Sequence, residues 1–114
     1  MCNQTVISII SNEVVNAAKK VLGNKLDKVI LYGSHARGDY DIDSDIDIMI
    51  LADIPIEERE LERRKIRRLL KNIDMEHDVV LSICVNDCAT FYKYINDLPY
   101  FMNVINDGVI LTAK

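Results

Sequence analysis

The chain has 114 residues, 49% of them apolar and 28% charged, with a net charge of −4. That is the composition of one soluble globular domain spanning 1–114, large enough for a core of its own, and it excludes a disordered chain. The acidic balance excludes a general nucleic-acid binder, which needs a basic surface to neutralise phosphates.

No apolar run approaches the roughly 20 residues of a membrane span. Residues 1–11 lack the basic start and long apolar centre of a signal peptide, so a cytoplasmic protein is expected. The three cysteines, Cys2, Cys84 and Cys88, are odd in number and irregular in spacing. They read as idle thiols in a reducing compartment rather than a disulfide framework or a zinc site.

Thr5 to Leu22 reads as a helix, with Val6, Ile9, Ile10, Val14, Ala17, Ala18, Val21 and Leu22 recurring at three- and four-residue steps. Gly23-Asn24 supplies its stop. Lys28 to Tyr32 is a short apolar run before a glycine and reads as a buried strand. Asp45 to Ala52 reads as a second strand, in which Ile46, Ile48 and Ile50 alternate with Asp45, Asp47 and Met49. Pro55 opens a helix to about Asn72, with Leu61, Ile66, Leu69, Leu70 and Ile73 as its apolar face. The basic run 63–71 lies on that helix and reads as a solvated face more readily than as a docking surface. His77 to Val85 reads as the third strand. Asn86 or Asp87 can cap the next helix, whose core face is Phe91, Tyr94 and Ile95. Pro99 opens a last short helix through Asn106, Asp107-Gly108 breaks it, and Val109 to Leu111 forms a final strand. The order α-β-β-α-β-α-α-(β) predicts an α/β (α+β) fold, a small mixed β-sheet flanked by helices.

The most informative run lies between the first two strands. Asp45 and Asp47 are i and i+2 on a strand, so both project from one face, opposite the isoleucines. Two like charges so close are unfavourable alone, and a divalent cation between them reverses that. Carboxylates suit Mg²⁺, which is usually held by one or two of them plus substrate phosphates. Gly33 allows positive φ or a close approach of backbone to a ligand. Ser34 can offer its N–H and hydroxyl to a phosphate, above all if a helical turn begins there and Gly38 closes it. Arg37 can hold a phosphate or a loop carboxylate. Asp78, expected at the start of the third strand, is either a third carboxylate that orients or deprotonates a hydroxyl or a strand-start acid facing water. Asp43 continues the same alternation and is not excluded as a ligand. His35 and His77 read as incidental. Tyr92, Tyr94 and Tyr100 read as core or partner contacts.

These residues resemble the nucleotidyltransferase superfamily that includes DNA polymerase beta. The shared pattern is an apolar strand, Gly33-Ser34, a loop of about ten residues, Asp45-Ile46-Asp47 and a later Asp78. The fuller run Gly33-Ser34-His35-Ala36-Arg37-Gly38-Asp39, with Ser44-Asp45-Ile46-Asp47, is similar to the minimal nucleotidyltransferase group. So is the ending from Phe101 to Leu111, so the likeness spans nearly the whole chain.

The resemblance implies the nucleotidyltransferase fold and a reaction. ATP binds with Mg²⁺, two ions being expected; a hydroxyl attacks the α-phosphorus and pyrophosphate leaves. It assigns Asp45, Asp47 and Asp78 as catalytic and metal-binding residues, and Gly33 and Ser34 to the triphosphate tail; Arg37 joins them as a candidate nucleotide-binding residue on its own chemistry. Many minimal members are antitoxins beside a HEPN-domain RNase toxin, which they silence by transferring AMP to one of its tyrosines. A HEPN-domain toxin is therefore the expected partner, since no second domain is expected to bind another acceptor. The alternatives are a transferase acting on a small molecule or an RNA end, and a non-catalytic nucleotide- or partner-binding module.

Overall fold

A computed structural model of the chain describes residues 4–38 and 45–113, with Ser34 described by its backbone alone. Helix α1 (Gln4–Leu22) leads through a short 3-10 turn into strand β1 (Leu26–Tyr32). A four-residue helical turn, α2 (Ser34–Arg37), follows directly. Strand β2 (Ile46–Ala52), helix α3 (Arg59–Leu69) and short helix α4 (Ile73–His77) come next. Strand β3 (Leu81–Asp87), helices α5 (Cys88–Tyr94) and α6 (Pro99–Asp107), and strand β4 (Val109–Ala113) complete the described chain.

The strands form one sheet in the order β3-β2-β1-β4. β1 pairs antiparallel with both β2 and β4, whereas β2 and β3 run parallel. The mixed α/β sheet expected from the sequence is therefore present. One face packs Val29, Leu31, Ile46, Ile48, Ile50, Leu81, Ile83 and Val85 against Ile10, Val14 and Ala18 of α1 and Ile66 of α3. The other packs Ile30, Met49 and Leu51 under Phe91 of α5 and Phe101 and Val104 of α6. Helices thus cover both faces, as the apolar strands require.

Gly23, at φ +56, ends α1 where the sequence places a stop. In α1 the buried stripe includes Ile7 and Ser11, while Ile9 is 43% exposed. The helix expected over 55–72 is shorter and broken. Pro55 is extended, at ψ 147, and precedes a 3-10 turn, so α3 begins only at Arg59. After Leu69 the chain turns and restarts as α4, with Leu70 and Ile73 both buried and the guanidinium of Arg67 on Asp74 tying the two pieces together. Leu61 and Leu69 face outward rather than joining the core.

The strand expected over 77–85 also moves. Residues Ile73–His77 are helical, and Asp78 ends that helix in the left-handed conformation at φ 52. A short polar residue tolerates that conformation better than most. β3 begins at Leu81 and runs on to Asp87. Its start is pinned by Asp74, whose carboxylate accepts the Leu81 N–H at 3.0 Å while its carbonyl accepts that of Val79. Cys84 lies on β3 and Cys88 opens α5.

Asp87 caps α5 by accepting the Thr90 N–H at 2.9 Å, and Arg59 stands 3.9 Å from its other oxygen. Burial raises the pKa of this carboxyl, but the Thr90 bonds and Arg59 outweigh burial and hold it below its ordinary value. A depressed carboxylate adds stability above its unfolded pKa, about 3.9, and that part is lost as pH falls through the lower folded value. Asp87→Asn should therefore weaken the acid sensitivity of folding below about pH 4, read from urea midpoints against pH. Gly108 is a second pressure point. A Cβ there would meet the Val104 carbonyl at 2.1 Å and Ile30 Cγ2 at 2.5 Å, because α6 ends flat against β1. Gly108→Ala should cost roughly 1–3 kcal/mol, seen as a lower urea midpoint at unchanged slope.

Candidate active site

The site forms where β1 ends and β2 begins. Tyr32 and Asp47 are direct partners across the β1–β2 ladder, and Gly33 turns the chain immediately after Tyr32. Gly33 has φ +78, and the Arg37 N–H closes a helical turn on its carbonyl at 3.1 Å. Gly38, at φ +83, ends that turn. The expected helical start at Ser34 and closure at Gly38 are both present. A Cβ on Gly33 would lie 2.5 Å from Asp47 Oδ2, so the turn leans directly on the carboxylate.

Asp45 lies exposed just before β2, and Asp47 is partly buried within it. Burial raises the Asp47 pKa, and the charge of Asp45 raises it further; His35 and Arg37 pull the other way. The two acids are thus close enough to repel, and the Arg37 guanidinium is close enough to be felt. This pair, with a glycine turn pressed against it, fits a divalent cation: charge between the carboxylates would relieve the strain that the ionised pair carries. The α5–α6 layer covers Met49 and Leu51 on the same face, and Tyr100 of α6 reaches the Asp47 end through its bond to Tyr32.

The structure does not bring all expected site residues together. Asp78 sits on the turn after α4, exposed, three residues before β3 starts. No group of three metal-ligating side chains forms among the described residues. The premise that Asp78 opens a strand beside Asp47 is thus corrected. In the parallel β2–β3 register the residue level with Asp47 is Ser82. Asp43 lies outside the described residues. His77 stands 3.9 Å from Glu13 of α1, away from the acid pair, and His35 is buried in α2.

Two aromatic hydroxyls border the acid face and were not singled out together by sequence. Tyr32 and Tyr100 share a hydrogen bond of 2.7 Å, their rings edge to face at 5.9 Å. Burial pushes the Tyr32 phenol far up, and Tyr100 and then the charge of Asp47 add to it. Both tyrosines are neutral at any physiological pH, so they offer hydroxyls rather than charge. The only sequence signal for Tyr32 was its place directly before Gly33. Much of the basic run on α3 is engaged on its own helix: Arg63 grips Glu60 with two bonds of 2.7 and 2.9 Å, and Lys65 reaches Glu62 at 3.2 Å.

Comparison with known proteins bears on the family and the fold. The family model described as "Nucleotidyltransferase domain" matches residues 12–108. Two proteins of Methanocaldococcus jannaschii, named "Putative protein adenylyltransferase MJ0604" and "Putative protein adenylyltransferase MJ0141", are 34% and 39% identical. The first match covers 87% of this chain and 91% of the relative, the second 85% and 94%. A solved structure described as a toxin-antitoxin with AMP-PNP has the same fold, with a TM-score of 0.56 at 18% identity, over 91% of this chain and 73% of that one. With acids, glycine turn and mixed sheet in place, the chain belongs to the nucleotidyltransferase domain family.

Proposed function

We propose that this protein is a Mg²⁺-dependent protein adenylyltransferase that moves AMP from ATP to a tyrosine hydroxyl of a partner HEPN-domain RNase toxin. The observation that carries the reading is the meeting of Gly33 and Asp47 at the end of the β1–β2 ladder. Asp45 stands close enough to repel Asp47 there, and the Gly33 turn closes against Asp47. The names of the two archaeal relatives support protein as the acceptor class, and the toxin-antitoxin neighbour supports a toxin partner.

In this reading the phosphate tail lies along the Gly33-Ser34 turn. A glycine there keeps side-chain atoms out of the way of both phosphate and Asp47. Asp45 and Asp47 would hold Mg²⁺, which when bound would neutralise phosphate charge and favour ionisation of the attacking hydroxyl. Arg37 stands on the rim, able to pair with a phosphate oxygen. The acceptor oxygen forms a bond to the α-phosphorus, the bond from that phosphorus to the pyrophosphate oxygen breaks, and the acceptor proton passes to solvent. Asp45 is exposed at the start of β2, where a partner can present its tyrosine. The whole described unit acts as one nucleotidyltransferase domain.

The decisive experiment supplies labelled ATP and Mg²⁺ to the protein with a co-expressed toxin. Label should enter a toxin tyrosine, and chelation should stop it. The double variant Asp45→Asn and Asp47→Asn should transfer no label. Labelling that persists in the double variant overturns the reading, and label on a metabolite or RNA end instead of protein selects the alternative acceptor. The double variant should also melt no lower than the parent at neutral pH. The Asp47 pKa is raised, so its ionised form costs stability above that pKa, and removing the charge returns it. Gly33→Ala should lose at least tenfold in transfer and destabilise by roughly 1–2 kcal/mol, because positive φ and the contact with Asp47 both resist a methyl.

A further inference from the structure

β3 borders β2 on the side opposite β1, and the two strands are parallel in unbroken register from Ile46↔Leu81 to Ala52↔Asp87. Residues level with one another in a sheet project to the same face, and neighbouring strands lie about 4.8 Å apart. Two positions on the β3 side therefore stand beside the acid pair. The Ile46 N–H donates to the Val80 carbonyl at 2.9 Å, which sets Val80 beside the start of β2 near Asp45. Val80 has no polar side chain to offer a cation. Ser82 is level with Asp47. Its neighbours Leu81 and Ile83 are buried on the opposite face, so the Ser82 hydroxyl shares the face of Asp47, and Ser82 is exposed.

Asp78 is displaced from this position by the geometry of its own turn. The chain leaves α4 through a left-handed residue, and the Asp74 side chain fixes Leu81 as the first strand residue. Thus the place next to Asp47 is held by a hydroxyl.

We propose that Ser82 is the third member of the cation site, its neutral hydroxyl standing beside Asp47 where it bonds a water or acceptor oxygen on the held ion. The inference rests on the reading of Asp45 and Asp47 as the cation pair. A site with two charges and one hydroxyl holds a divalent ion more weakly than one with three carboxylates, since ligand charge sets affinity for hard cations. The ion then depends on nucleotide phosphates to complete its binding.

The test uses Mn²⁺ alone as the probe, with binding followed by electron paramagnetic resonance on the whole protein without nucleotide. Ser82→Asp should tighten Mn²⁺ binding by roughly tenfold, and Ser82→Ala should weaken it several-fold. Both substitutions fall on an exposed edge-strand position, and thermal melts check that each variant is folded. A Ser82→Asp variant that is folded and binds Mn²⁺ no better than the parent overturns the proposal. So does Asp78→Asn weakening Mn²⁺ more than Ser82→Ala. Loss of Mn²⁺ binding in Asp47→Asn, with no response at Ser82, would sink this inference and leave the reading of the acid pair standing. Unaltered binding in Asp47→Asn would remove the reading itself.

Discussion

The space between Gly33 and Asp47 is too small for a methyl group, and the site is arranged around that fact. A Cβ on the glycine would come within 2.5 Å of the carboxylate oxygen. Because only hydrogen fits, the turn can follow β1 without a spacer, take positive φ, and start α2 at once. The carboxylate is then held between a strand partner, Tyr32, and a turn. Burial and the charge of Asp45 raise its pKa, which means the ionised carboxylate is electrostatically uncomfortable where it stands. Sites that bind charge commonly hold such discomfort in reserve.

β2 serves two purposes without compromise because its period is two. Ile46, Ile48 and Ile50 are fully buried on one face. Asp47, Met49 and Leu51 share the other, and the aromatic layer of Phe91 and Phe101, with Val104, covers only the apolar part of it. A slip of one residue would send carboxylates into the core and isoleucines to the Asp47 face, so the core itself enforces the position of the acids.

Much of this was legible in the residues. The alternation around Asp45 and Asp47 identified both strand and face, and the glycines flanking 34–37 marked the turn. The helix stops at Gly23 and Gly108 and the cap at Asp87 were readable from local chemistry. What was not readable depends on contacts between distant segments. The apolar run Val79-Val80-Leu81 looks like the body of a strand. Asp74, seven residues before Leu81, decides by one hydrogen bond where that strand begins. The same bond shifts Asp78 out of register and Ser82 into it. Likewise nothing in 55–72 announces that the helix breaks after Leu69, since the break exists to bury Leu70 and Ile73 against neighbours. The pairing of Tyr32 with Tyr100 joins residues too far apart in sequence for any local pattern to connect them.

The placement of β4 has a kinetic consequence. It pairs with β1, Leu31 opposite Val109 and Val29 opposite Thr112, so the strand that feeds the Gly33 turn is secured on one side by residues from the far end of the described chain. Such a long closure is entropically expensive until everything between has condensed, so this ladder forms late in folding. Were β4 to lift, β1 would lose its outer neighbour, and the Gly33 turn would lose part of the support of the strand that positions it.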